Sequence, residues 1–295
     1  MADILTRFGR SVVQHGSFSD RIYALKLHPA DMPEVLDDLE ALAEQEGYGK
    51  IVAKGRRTHL KAFLDRGYKA EAEVPLLFGA GEDGLFLGKF LDPARGEEQV
   101  PERVKDVLEA AKGKQRGEEA SPGTEGADAP EPGLTVREAE ETDARALAAC
   151  YGAVFESYPF PIHDPEHLRR EMEAGTRFFT VWEEDALVAA SSMEPGGAPG
   201  AVEMTDFATL PSHRGRGLAT HLLGRMDGAA RTAGERVAYT IARAVSFGMN
   251  ITFARRGYAF GGTLVSDTQI GGAIESMNIW YKVLQPGLES GDRDA

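Results

Sequence analysis

Ten residues, Leu210–Ala219, reading L-P-S-H-R-G-R-G-L-A, restrict the architecture more than any other part of the chain. An apolar run from Val202 to Leu210 precedes them, and Leu218, Leu222, Leu223 and Met226 follow at helical spacing. The order is strand, tight glycine turn, helix N-terminus. Gly215 and Gly217 lack the Cβ atoms that would hold an anion away from main-chain N–H groups. First-turn N–H groups have no intrahelical acceptor and sit at the positive end of the helix dipole, which suits a phosphorylated ligand. Arg214 and Arg216 can add charge-assisted bonds to the same anion, and Leu218, Ala219 and Thr220 extend the cradle into the helix. A basic turn that merely ends a strand has a similar sequence. The flanking strand and helix favour the ligand-binding reading.

A chain of 295 residues has room for two modest domains. Its formal charge of −14 argues against nonspecific binding to nucleic acid or an anionic membrane surface, and suits a small cationic substrate. Cys150 is the single cysteine, too few for an internal disulfide or a thiolate metal site. Residues 1–10 do not read as a signal peptide and no apolar run reaches membrane length, so a cytoplasmic protein is expected. The histidines form no metal-binding pattern, His163 and His167 lying on a solvated face, and no metal is expected.

Composition divides the chain. Residues 1–92 alternate strand and helix: strands at Ser11–Gln14 and Arg21–Leu27, a helix opened by an Asp31/Glu34 capping box, a strand at Ile51–Ala53, a short helix, then strands at Ala72–Phe78 and Gly84–Phe90. Residues 93–133 are rich in Glu, Gly, Pro and Ala and read as a flexible acidic linker, with room for a surface helix at Val100–Lys114. Residues 134–285 form the second domain: a strand at Leu134–Ala139, a helix at Asp143–Phe155, a proline-rich loop at Tyr158–Ile162 and a helix from Asp164. Strands follow at Phe178–Trp182, Ala186–Ser191 and Val202–Leu210, and beyond the glycine turn at Val237–Ala242, Gly262–Val265 and Met277–Val283. Residues 286–295 read as a disordered tail. The halves share an ending: Phe63-Leu-Asp-Arg-Gly67-Tyr68 and Phe253-Ala-Arg-Arg-Gly257-Tyr258 each lead into strands, the last carrying Lys89 or Lys282. This suggests an old duplication in which only the second copy kept the R-G-x-G turn.

The second half resembles the GNAT N-acetyltransferases, whose phosphate-binding signature stands here as Arg214-Gly-Arg-Gly217-Leu-Ala219. The resemblance implies an α/β class, an α+β mixed sheet with the GNAT acyltransferase fold, preceded by a smaller degenerate GNAT-like half-domain without its own cofactor motif. A narrower likeness is carried by S-Y-P-F-P-I-H-D-P (Ser157–Pro165), E-M-T-D-F-A-T-L-P (Glu203–Pro211), E-S-M-N-I-W-Y-K (Glu275–Lys282) and G-Y-G-K-I-V-A-K (Gly47–Lys54). It is similar to the β-lysine N-acetyltransferases. That likeness implies acetyl transfer from acetyl-CoA to the ε-nitrogen of β-lysine, a product that serves as a compatible solute, and a lysine aminomutase as pathway neighbour.

Under this resemblance Phe207, Ala208 and Thr209 offer main-chain groups to the pantetheine arm, and a free N–H there can stabilise the oxyanion. Asn250 matches the family's asparagine near the cofactor. Phe253 stands where many relatives carry a tyrosine acid, so either the thiolate leaves unaided or Ser246 or Tyr258 substitutes. An alkyl ammonium must lose a proton before it attacks, and Glu203 and Asp206 are the candidate bases. Their odd spacing puts them on opposite faces of a strand unless a bulge intervenes. Tyr158, His163, Glu275, Ser276 and Asn278 are the candidate substrate readers. The competing readings are acetylation of another amine (a polyamine, an aminoglycoside or a protein N-terminus) and a non-catalytic acyl-CoA-binding module. The oligomeric state stays open, a homodimer being compatible.

Overall fold

The computed structural model describes residues 3–115, 131–156 and 158–284. In the first half these form β1 (Ile4–Phe8), β2 (Ser11–Gly16), β3 (Arg21–Lys26), α1 (Val35–Glu46), β4 (Lys50–Arg56), α2 (Leu60–Leu64), β5 (Lys69–Val74) and β6 (Gly84–Phe90). A helix, α3 (Pro101–Lys112), precedes β7 (Leu134–Glu138), α4 (Ala144–Val154), α5 (Pro165–Glu173), β8 (Arg177–Glu183) and β9 (Ala186–Pro195). The chain continues through β10 (Ala201–Thr209), α6 (Leu218–Thr232), β11 (Val237–Arg243), α7 (Phe247–Arg255), β12 (Ala259–Ile270) and β13 (Ala273–Val283).

Among the described residues all thirteen strands join one mixed sheet in the order β1-β2-β3-β4-β6-β5-β12-β13-β11-β10-β9-β8-β7. Each half has one parallel pair, β3/β4 or β10/β11, bridged by a helix, and then an inverted antiparallel pair of strands. The halves meet where β5 and β12, the last strands in each order, pair at Gly262 and Ala72. The shared sequence ending is also a shared structure. Phe63 and Tyr68 pack edge to face with centroids 5.2 Å apart, and Phe253 and Tyr258 do so at 5.1 Å. Lys89 lies 5.7 Å from the centre of the Tyr68 ring and pairs with Glu40 of α1; Lys282 lies 5.5 Å from that of Tyr258 and pairs with Asp227 of α6.

Alternation along β3 and β4 sends Ile22, Ala24, Ile51 and Ala53 into a core beneath α1 and α2. The opposite face of that sheet carries Arg21, Tyr23, Lys50 and Lys54, all buried against the second half. Lys50 donates to the Val265 carbonyl at 2.7 Å and pairs with Glu71, which accepts from the Val265 N–H. The β12–β13 hairpin runs several residues beyond the short strands expected from sequence and reaches across the first half.

Two expectations change. Asp31 does not cap α1: its carboxylate accepts from Arg10 N–H and Ser11 Oγ–H, and the helix starts at Val35, beyond Pro33. Residues 93–115, read as linker, hold a 3-10 turn and α3, whose Val107 and Ala111 are fully buried. A narrow stripe of Val107, Leu108 and Ala111 is enough to bind the helix to the second half, because Ala111 joins the core around Phe253 and Trp280. The rest of the expected linker, 116–130, and the expected tail, 286–295, lie outside the described residues. Among the described residues no helix is long and apolar enough to cross a membrane.

Candidate active site

β10 and β11 pair only from Ala201 to Glu203 against Val237 to Tyr239. Beyond that point β10 stays with β9 as far as Thr209, while β11 stays with β13 as far as Arg243. A wedge therefore opens between the two parallel strands, with Glu203 and Tyr239 at its apex. Leu210 N–H donates to Val188 of β9, and alternation then turns the main-chain groups of Thr209 and Phe207 into the wedge. Ala208, expected to serve the pantetheine arm, faces β9 instead and spends its main chain on that ladder.

The glycine turn closes the wide end of the wedge. Gly215 and Gly217 hold φ of 82° and 74°, a left-handed conformation that L side chains resist, and a Cβ at either position would project into open space. Among the described residues no acceptor meets the N–H groups of Gly215, Arg216, Gly217, Leu218 or Ala219; the next amide, Thr220, bonds back to Gly217. This cradle fits the diphosphate of acetyl-CoA. The arginines contribute unequally. Arg214 is exposed and donates from Nε to the Thr209 carbonyl. Arg216 is turned away and paired with Glu131 and Glu183 at 2.8 and 3.0 Å, so its guanidinium is not offered to the anion.

At the apex the carboxylates gather. A register shift between Thr205 and Ala208 places two β10 residues opposite Ser191, and Asp206 takes a φ of 53° within it. The bulge brings Asp206 into the electrostatic neighbourhood of Glu203 despite their odd spacing. Asp206 accepts from Tyr158 Oη–H at 2.5 Å and Ser192 Oγ–H at 2.6 Å. Glu203 accepts from Tyr239 Oη–H at 2.8 Å, and Tyr239 accepts from Lys54 Nζ at 3.0 Å. Lys54 lies 4.0 Å from Glu203 itself. Glu194 stands directly across the ladder from Glu203 and feels the charge of Asp206. Burial pushes all three acids up, and Glu194 furthest, because the charges of Asp206 and Glu203 add to its desolvation. Lys54 opposes the rise at Glu203.

Several expected site residues serve the framework instead. Asn250 is fully buried: its Nδ2 donates to the Arg243 and Ser246 carbonyls, and its Oδ1 accepts from Asn278 and Trp280. No donor is left for a cofactor. Phe253 is enclosed between Phe207 and Tyr258. The Tyr258 hydroxyl donates its hydrogen bond to buried Asp227, which removes it as a stand-in acid. Ser246 caps α7 with its oxygen and retains its own hydroxyl proton. Glu275 is held by Arg243 at 2.5 Å, Ser276 accepts from Ser266 N–H, and Asn278 bridges Thr263 and Asn250. His163 is exposed on its loop. Of the substrate readers expected from sequence, the structure brings Tyr158 alone to the carboxylates. Burial raises the Cys150 thiol to about 11, so it is inert. Among the described residues no cluster of three or more His, Cys, Asp or Glu side chains is placed to hold a metal.

Glu194, Lys54 and Tyr239 are functional candidates that sequence reasoning missed. Glu194 lies beyond Ser191, where the strand was expected to end, and Lys54 comes from the half without a cofactor motif.

A wedge between parallel strands, a glycine turn at its mouth and carboxylates at its apex define an acyltransferase of the kind the sequence resembles. The Acetyltransferase (GNAT) family matches residues 144–258. The chain is 34% identical over 273 residues to the β-lysine N(6)-acetyltransferase of Methanococcus maripaludis, covering 92% of this chain and 96% of that protein. It is 29% identical over 276 residues to the N-acetyltransferase YodP of Bacillus subtilis, covering 93% and 96%. Against the β-lysine N(6)-acetyltransferase of Methanosarcina mazei it is 35% identical over 152 residues, 52% of this chain and 56% of that one. The chain belongs to the GNAT family of acetyltransferases.

Proposed function

We propose that the protein moves acetyl from acetyl-CoA to the ε-nitrogen of β-lysine, giving Nε-acetyl-β-lysine by direct attack in a ternary complex. The observation that carries this reading is the meeting of Glu194, Glu203 and Asp206 at the closed end of the wedge whose open end carries the glycine turn. A substrate with two ammonium groups is matched by such an acidic apex, and two relatives are named for this reaction.

Acetyl-CoA supplies the activated acyl group, its diphosphate held by the amides of 215–219. Glu203 accepts the amine proton. Its raised pKa brings it nearer to working pH than an exposed carboxylate, which suits a general base. Tyr239 and Lys54 fix its orientation. The wedge-facing N–H of Phe207 or Thr209 is the donor for the carbonyl oxygen as charge builds there. The new N–C bond forms as the C–S bond breaks, and the thiolate, near pKa 8.5 by analogy with cysteine, takes its proton from solvent or Ser246. Cytoplasmic residence and supply of the amine by a lysine aminomutase belong to the same reading.

Purified protein, acetyl-CoA and a panel of β-lysine, lysine, spermidine and an aminoglycoside test it. The highest kcat/KM for coenzyme A release is expected with β-lysine. Release with spermidine but not β-lysine would transfer the activity to another amine.

A further inference from the structure

The half without a cofactor motif faces the acidic apex with a set of polar groups that its own fold does not use. Gln14 and Tyr23 are cross-strand neighbours on β2 and β3, and Arg21 lies two residues from Tyr23 on the same face. All three are at least nine-tenths buried, with exposures of 3%, 7% and 5%. Yet among the described residues Gln14 Oε1, Tyr23 Oη and Arg21 Nε have no hydrogen-bond partner. Buried polar groups of this kind are normally paired, and each unpaired one is a standing cost to the fold.

Their placement gives that cost a purpose. The Arg21 guanidinium lies 4.9 Å and Lys54 Nζ 6.0 Å from the centre of the Tyr23 ring. Lys54 also lies 4.0 Å from Glu203, and Arg21 pairs with Asp267, so Tyr23 stands between contacts that lead to the apex and to the Arg21–Asp267 ion pair. One unused donor on Arg21 and one hydroxyl on Tyr23 match a carboxylate. The unused acceptor on Gln14 matches an ammonium.

We propose that Arg21, Tyr23 and Gln14 form a second subsite that reads the far end of a linear diamino acid. Arg21 and Tyr23 receive its carboxylate, and Gln14 receives its second ammonium while the reacting amine lies at Glu203. The proposal rests on the β-lysine reading and deepens it. The first half becomes the specificity wall of the second, and its buried Arg21 favours amines that carry a carboxylate over those that do not. Arg21 is bound to Asp267 through Nη1, which leaves Nε free for this role.

The test compares three amines: β-lysine, 1,4-diaminopentane, which lacks the carboxylate, and 6-aminohexanoate, which lacks the second amine. Tyr23→Phe and Gln14→Met preserve shape and burial. Loss of one hydrogen bond to a charged group corresponds to roughly 10- to 100-fold. Tyr23→Phe is expected to lower kcat/KM by about that factor for β-lysine and 6-aminohexanoate, mainly through KM, and to leave 1,4-diaminopentane unaffected. Gln14→Met should spare 6-aminohexanoate and weaken the other two. Equal losses across all three amines, or no loss, would overturn the subsite while the β-lysine reading stands. A wild-type protein that ignores β-lysine overturns that reading and the subsite with it.

Discussion

Replacing Lys54 by Met keeps the aliphatic stem that packs at the interface and removes a cation beside the proposed base. Lys54 Nζ lies 4.0 Å from Glu203, and the two side chains are only 9% and 16% exposed. At an effective dielectric of about 20, unit charges at that distance attract by roughly 4 kcal/mol. At about 1.36 kcal/mol per pKa unit this is roughly three units, an upper bound because water enters the vacated space. A rise of about one to two units in the apparent pKa of the apex is the expected result. The sign follows from charge: without the cation the carboxylate is less favoured, so Glu203 stays protonated to higher pH. The acid limb of kcat/KM for the amine, recorded over roughly pH 5 to 9, should move to higher pH by that amount. Lys54→Arg should return most of it. An unmoved limb in a folded Lys54→Met protein would show that the first half does not tune the base.

Three further substitutions separate site from framework. Gly217→Glu puts a charged side chain on a residue at φ 74°, where the strain is about 1–2 kcal/mol, and points it at the anion cradle; acetyl-CoA affinity should fall at least about 100-fold by calorimetry. Unchanged affinity would remove the phosphate assignment. Asn250→Leu strands the donors of Asn278 and Trp280 and should lower urea stability by about 2–5 kcal/mol with acetyl-CoA affinity kept; the reverse pattern would return Asn250 to the cofactor. Phe253→Tyr should not raise kcat, and the enclosed hydroxyl should reduce stability by about 1–3 kcal/mol. A gain in turnover would mean that this position reaches the leaving thiolate.

The strand, glycine turn and helix at 201–232 were legible because every signal in them is local: an apolar run, left-handed glycines, a helical repeat. The repeated Phe–Tyr ending was legible for the same reason, and its lysine pairs were visible in outline. Contacts between distant segments were not. Nothing near Lys54 on β4 says that it will meet Glu203 on β10, and nothing near Glu194 says that the strand runs on past Ser191. Asn250 and Phe253 show the opposite failure. A family pattern gives a position, but the partners of the side chain decide its role, and here Trp280, Asn278 and Tyr258 occupy both residues. Asp31 had the spacing of a cap but found Arg10 and Ser11 first.

The terminal nitrogen of β-lysine is the expected acetyl acceptor. Incubation of the protein with β-lysine and acetyl-CoA labelled with carbon-13 in the acetyl group, followed by NMR of the product, reads that nitrogen directly. The expected result is a single amide correlated with the terminal methylene protons, with one coenzyme A thiol released per acetyl group moved. An acetyl correlated with the proton on the carbon that bears the second amine, or a mixture of the two products, would contradict the placement of the terminal amine at Glu203.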